Sequence, residues 1–148
     1  MGAQVAVIAP AGKFLETTEG FIPAPHLRPL GTQLTDPVAV AEGFLGAPYL
    51  WGGNSRAGID CSGLVQASLL ACGIPAAGDS DLQQVLGHEL PQDAALHRGD
   101  LLFWKGHIAL VVDEARLIHA NGHSMSVAYE GIDACIARVV AQEGGQVT

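Results

Sequence analysis

An α+β domain is what this sequence predicts, and three observations predict it. Helix-start and helix-stop signals cluster between Asp36 and Gly87. Short apolar runs separated by Gly- or charge-containing turns follow from Leu101 onward. No internal repeat interrupts that order. A chain of 148 residues, 49% hydrophobic and 15% charged, carries enough apolar material for one ordinary core. Nineteen glycines and eight prolines favour a loop-rich domain over a helical bundle.

In chain order, Gln4 to Ala9 and Gly20 to Pro23 read as short strands, too few for an independently stable domain in water. Pro25 to Thr35 reads as a linker. Asp36-Pro37 is a helix start, Asp as N-cap and Pro in the first turn, followed by Val38, Val40, Ala41, Phe44 and Leu45 at helical spacing and a stop at Gly46. The aromatic stretch Pro48 to Gly53 turns on two glycines. A second helix begins at Cys61 or Ser62, buries Leu64, Val65, Ser68 and Leu69, and stops at Gly73. Asp81 to Gly87 reads as a third helix capped by Ser80. Strands are expected at Leu101 to Trp104, His107 to Asp113, Leu117 to Ala120, Ser126 to Tyr129 and Ala134 to Val140, with a tail from Gly144. The working domain is therefore about Asp36 to Val140.

A net charge of −8, with only seven scattered Lys and Arg, argues against a nucleic-acid partner. No apolar run approaches the roughly 18 to 20 residues that span a bilayer. The start MGAQVAVIAPAGK lacks the basic region and length of a secretory leader, which favours the cytoplasm if this is the natural amino terminus. Cys61, Cys72 and Cys135 are odd in number and have no Cys-x-x-Cys spacing, so a disulfide framework and a thiolate zinc site are both disfavoured. One thiol kept for chemistry beside two buried structural ones fits better, and no cofactor is called for.

A cysteine nucleophile needs a lowered thiol pKa, a base, a group that orients the base, and oxyanion donors. Gly58-Ile59-Asp60-Cys61-Ser62-Gly63 places Cys61 at a helix amino terminus, where exposed N–H groups favour a thiolate and can hold an oxyanion. Ser62 and Gly63 are small enough to let a substrate backbone approach. His107 opens a core strand, and His119 lies in the next one. Antiparallel pairing across the turn at Glu114-Ala115 can bring the two imidazoles to one face, one as base and one holding its tautomer. Taken singly, a cysteine at a helix start is more often a small buried residue, and a histidine in a strand is more often core or surface. His26, His88, His97 and His123 lack such a setting and read as solvent-facing.

Five blocks change that balance: Tyr49-Leu50-Trp51-Gly52-Gly53; Gly58 to Gln66; Arg98-Gly99-Asp100-Leu101-Leu102-Phe103-Trp104; Gly106-His107-Ile108-Ala109; and Leu117-Ile118-His119-Ala120. In this order, over about Val38 to Arg138, they resemble the NlpC-type cell-wall peptidases. The resemblance implies a papain-like α+β fold, hydrolysis of γ-D-glutamyl bonds in peptidoglycan stem peptides, Cys61 as nucleophile, His107 as base and acid, and His119 as the orienting group. It also implies Asp60 and Ser62 as substrate-site residues, Trp51 and Tyr49 as cleft walls, and the Tyr49 hydroxyl near the oxyanion. Packing in an aromatic core is the alternative for Tyr49 and Trp51.

Gly73-Ile74-Pro75 followed by Asp79-Ser80-Asp81 resembles the γ-D-glutamyl-L-diamino-acid endopeptidase branch, in which such an Asp-Ser pair receives the free amine of L-Ala. Capping of the third helix is the other reading of Asp79 and Ser80. Gly78 stands where this branch usually has an arginine. Phe21 to Arg28 resembles the last strand of a Src-homology-type barrel, so residues 1–30 are expected to be a barrel remnant or an irregular arm, and 31–148 the peptidase domain.

The leading expectation is thus an endopeptidase whose partners are peptidoglycan-derived peptides. An acyltransferase or transglutaminase-like use of the same Cys/His site, and a non-catalytic cell-wall peptide-binding module, are the alternatives. A zinc site of Cys61, His107 and His119 lacks any short ligand pair.

Overall fold

The computed structural model describes residues 3–91, 93–142 and 145–147, and it divides into two compact units, Gly2–Gln33 and Leu34–Thr148. The first unit is a three-stranded antiparallel sheet of β1 (Val7–Ala11), β2 (Phe14–Thr17) and β3 (Gly20–Pro23), closed by a 3-10 turn over Ala24–His26. Its middle strand was not expected from sequence. Phe14-Leu15-Glu16-Thr17 is a short run between two tight turns, the first of which places Gly12 at φ +65°.

The second unit begins with α1 (Pro37–Glu42), where the Asp36 carboxylate accepts from the N–H groups of Val38 and Ala39 as the cap pattern predicts. A two-residue hairpin, β4 (Asn54–Ser55) and β5 (Gly58–Ile59), leads into α2 (Cys61–Ala71). Asp60 caps α2 by accepting from Gly63 N–H. The third helix, α3, is shorter than expected, Ser80–Gln83, and its N-cap is Asp79 rather than Ser80, because the Asp79 carboxylate accepts from Asp81 N–H.

A meander of β6 (Leu101–Trp104), β7 (His107–Val111), β8 (Arg116–Asn121) and β9 (Ser126–Gly131) forms one antiparallel sheet in that order. Strand alternation sorts its side chains. Phe103, Ile108, Leu110, Ile118, Ala120 and Val127 join the core built with α1 and α2, including Val38, Phe44, Ile59, Leu64 and Val65. Leu102, Trp104, Ala109, Val111 and Leu117 form the opposite core with Ile132, Cys135 and Val139.

Those last three residues belong to a helix, α4 (Ile132–Ala141), and this overturns the expected strand at Ala134 to Val140. Ile132, Cys135, Ile136 and Val139 fall at i, i+3, i+4 and i+7, the helical period, and an apolar sheet face needed a cover. The tail expected from Gly144 begins outside the described residues. No helix among the described residues is long and apolar enough to cross a membrane.

Candidate active site

Cys61 is the first residue of α2, and its thiol is nearly buried, 7% exposed. Burial pushes that thiol above its usual pKa, while the N–H groups of Ile108, Ser62 and Cys61 pull the other way. The sequence led to the opposite expectation, a thiol poised as thiolate by the helix terminus. The terminus does act on the sulfur, but desolvation outweighs it. Contact with Ile108 N–H also brings the thiol to the start of β7, at the residue that follows His107.

His107 and His119 meet as expected: Nε2 of His107 lies 2.9 Å from Nδ1 of His119, with ring centroids 5.1 Å apart. Trp104 covers His107 with a ring at 5.6 Å. Burial lowers His107 to about 4, and it lowers His119 to about 3, where the neighbouring His107 adds to the effect. Both imidazoles are therefore neutral near pH 7, and the resting pair is thiol and imidazole, with His107 free to take a proton.

His119 is 1% exposed, and its Nε2 comes within 3.1 Å of Glu130 Oε2. That approach lies off the ring N–H direction, and this buried nitrogen makes no hydrogen bond of regular geometry. Glu130 in turn accepts from Arg138 through both oxygens, at 2.9 and 2.7 Å, and this pairing holds its carboxyl down at about 2. Neither Glu130 nor Arg138 was singled out in the sequence. The signal available was Glu130 two residues beyond Ala128, the residue paired with His119, and so on the same face of the sheet.

The proposed substrate residues are placed unequally. Tyr49 is half-buried, lines a cavity of about 470 Å³ with His107, Lys105, Asn121 and His123, and is pushed up by burial and then by the nearby Cys61 charge. Trp51 is 81% exposed and so is not part of the core. Asp60 is fully engaged: Oδ1 accepts from Gly63 N–H at 2.7 Å and Oδ2 from Gly52 N–H at 2.8 Å. The Ser62 hydroxyl lies 3.2 Å from Asp60 Oδ1 and 3.1 Å from the Gly78 carbonyl, and can donate to one at a time. Asp79 is exposed at the tip of α3 and Ser80 is buried beneath it.

Where the resemblance has an arginine, Gly78 belongs to a segment held by three side chains. Gln66 donates to Ala76 O at 3.0 Å, Gln83 to Ala77 O at 2.7 Å, and the Ser62 hydroxyl reaches Gly78 O. Gln83, fully buried, also donates to Ser62 O at 3.0 Å and so ties α3 to the first turn of α2. Gly63 serves the fold as well. A Cβ there would lie 2.6 Å from Gly53 O, so its smallness admits the protein's own backbone.

Cys72 is half-buried and Cys135 fully buried, and no disulfide forms among the described residues. The exposed His26, His88, His97 and His123 match expectation, although His123 also lines the cavity beside His107. One group among the described residues, His119, Glu130 and Cys135, brings three metal-type donor atoms within 4.8 Å. The Arg138 guanidinium already fills the cationic place there, bonded to both Glu130 oxygens and 3.6 Å from Cys135 Sγ.

Comparison with known proteins gives the chain's relatives. Over 92 residues the chain is 37% identical to the gamma-D-glutamyl-L-lysine dipeptidyl-peptidase of Bacillus subtilis (strain 168), a match covering 57% of this chain and 31% of that one. It is 34% identical over 84 residues to dipeptidyl-peptidase 6 of Lysinibacillus sphaericus, covering 57% and 31%. The chain thus spans about a third of the length of these curated relatives. Among solved structures, the NlpC/p60 domain of the peptidoglycan hydrolase SagA is 32% identical with a TM-score of 0.56, covering 66% of this chain and 88% of that one. An NlpC/P60 family protein from Bacillus cereus ATCC 10987 shares the fold at 23% identity with a TM-score of 0.73, covering 87% and 48%. The NlpC/P60 family profile matches residues 46–140, which include Cys61, His107 and His119, and the chain belongs to that family, whose members are cysteine peptidases.

Proposed function

We propose that this chain is a cysteine endopeptidase that hydrolyses the bond between γ-D-glutamate and an L-diamino acid, diaminopimelate or lysine, in peptidoglycan stem peptides carrying a free L-Ala amine. The observation that carries the reading is the 2.9 Å contact of His107 and His119 on the strand whose next amide, Ile108 N–H, meets the Cys61 thiol. The name of the Bacillus subtilis relative, gamma-D-glutamyl-L-lysine dipeptidyl-peptidase, supports the bond type. Residues 1–30, with their three antiparallel strands, are proposed as part of a preceding Src-homology-type barrel.

In this reading His107 takes the Cys61 proton as the sulfur attacks the γ-carbonyl. The oxyanion is received by the Cys61 and Ser62 N–H groups, since Gly63 N–H is taken by Asp60 and Leu64 N–H by the Asp60 carbonyl. The Tyr49 hydroxyl stands near enough to sense the sulfur's charge and can add a third donor. His107 then protonates the leaving amine, and water, activated by the same imidazole, releases the γ-glutamyl acyl group from Cys61. Asp60 and Ser62 shape the subsite from behind, and Asp79 with Ser80 receives the L-Ala ammonium.

The test is incubation with L-Ala-γ-D-Glu-meso-diaminopimelate, its L-Lys analogue and their amino-acetylated forms, read by mass spectrometry. Release of the free diamino acid from the unblocked peptides is expected. Because Asp79 is exposed, Asp79→Ala should weaken kcat/KM for the free peptide by up to about fivefold, the cost of losing a solvent-facing ion pair at about 0.2 to 1 kcal/mol. Equal preference for free over acetylated peptide in parent and variant would return Asp79 to a cap alone.

A further inference from the structure

We propose that Glu130 is a positioning residue that sets the tautomers of both histidines: it keeps the His119 proton on Nε2, which makes His107 donate from Nε2 and leaves His107 Nδ1 as the atom that takes the Cys61 proton. This inference rests on the assignment of Cys61 and His107 as nucleophile and base.

The chain of reasoning starts at the sheet. Ala128 is the cross-strand partner of His119, so Glu130, two residues on, faces the same side, and α4 covers that side with Cys135 and Arg138. Arg138 grips both oxygens of Glu130, which fixes where the carboxylate points, and Oε2 stands 3.1 Å from His119 Nε2. Ionised carboxylate is acceptor-only, so a lone pair on Nε2, 3.1 Å from Oε2 though off its line, would sit against that negative charge with no proton to relieve it, whereas an N–H there is attracted to it. The buried Nε2 therefore carries the hydrogen. A neutral imidazole has one N–H, so His119 Nδ1 is then a lone pair, and the 2.9 Å contact requires the proton on His107 Nε2. His107 Nδ1 is left as a lone pair.

Without Glu130, His119 is free to carry its proton on Nδ1. That tautomer would donate to His107 Nε2, drive the His107 proton to Nδ1, and turn an N–H rather than a lone pair toward the acceptor role. The site would keep its shape and lose its base. Arg138 keeps the arrangement near neutral, since its charge offsets Glu130 beside two uncharged rings. It also separates this cluster from a metal site, because a metal ion on the same donors would have to displace a guanidinium.

The experiment uses the full chain labelled with ¹⁵N-histidine. At pH 7 the parent should show His119 and His107 both protonated on Nε2 and unprotonated on Nδ1. A proton on Nδ1 of either ring overturns the proposal without any substitution being made. In Glu130→Leu the Nδ1-protonated form should appear, the rate of Cys61 alkylation by iodoacetamide should fall about ten- to hundredfold, and kcat should fall similarly with KM little changed. This is less than the roughly 10²- to 10⁴-fold of removing a general base outright. Glu130→Gln, whose amide oxygen can still accept from Nε2–H, should restore most of the rate and the parent tautomers. Unchanged tautomers and alkylation in Glu130→Leu overturn the role. Alkylation and tautomers are read without substrate, so inactivity on every peptide tested would count against the proposed reaction and leave this proposal standing.

Discussion

The two sides of the cleft are built by different physics. The nucleophile side is held by backbone and near neighbours: Asp60 caps the helix three residues on, Gly63 lets Gly53 O come close, and Gln83 and Ser62 catch successive carbonyls of residues 77 and 78. The base side is a file of half-buried and buried side chains from three elements, His107 on β7, His119 on β8, Glu130 on β9, backed by Arg138 of α4. Placing a sulfur needs only a rigid helix end. Moving a proton needs donors and acceptors in a stated order, and only a file of side chains supplies that. The first side tolerates little change in shape, the second little change in hydrogen-bond polarity.

The largest effect should come from the base side. His107→Ala should lower kcat/KM by about two to four orders of magnitude, measured with the free tripeptide. His119→Asn, which keeps an acceptor for His107 Nε2–H, should lose less than His119→Ala. Equal loss in the two would mean that shape, not polarity, governs this side.

Gly63→Ala probes the nucleophile side. The new Cβ would stand 2.6 Å from Gly53 O and 3.0 Å from Asp60 Oδ1, so the turn or the helix start must move. Overpacking of this kind costs about 1 to 3 kcal/mol, readable by urea denaturation. A stable variant with unchanged activity would show that this wall is softer than its contacts indicate.

A third test is one of pH. His107 and His119 are held at about 4 and about 3, below the ordinary histidine value of 6.5, chiefly by burial. Between 6.5 and these values the unfolded chain binds protons that the folded chain refuses, so stability rises with pH there. The contribution is whole above pH 6.5 and is lost as the solution is acidified toward 3. Thermal melts from pH 7 to 4 should show the decline, and His119→Asn should flatten it. A melting temperature as steep in His119→Asn as in the parent would place the decline elsewhere.

Most of the fold was legible because its signals are local. The cap at Asp36, the helix start at Cys61, and the strands from Leu101 to Gly131, follow from neighbouring residues and alternation. The α4 segment was misread as a strand because Ala134 to Val140 is apolar enough to suit either period. Asp60 and Ser62 were expected to face substrate, yet their polar atoms are largely spent on Gly52, Gly63 and Gly78, contacts invisible before the 48–53 turn and the 76–78 segment were placed.

By itself the sequence determined the α+β order, the helix start that carries Cys61, and the two histidines on neighbouring strands, because capping and alternation act over a few residues. Tertiary structure alone decided that the Cys61 thiol is buried enough to stay protonated at rest, since desolvation depends on every element packed around it. It alone also brought Glu130 and Arg138 behind His119, because a strand register and a covering helix must both be in place before a carboxylate and a guanidinium from different elements can meet.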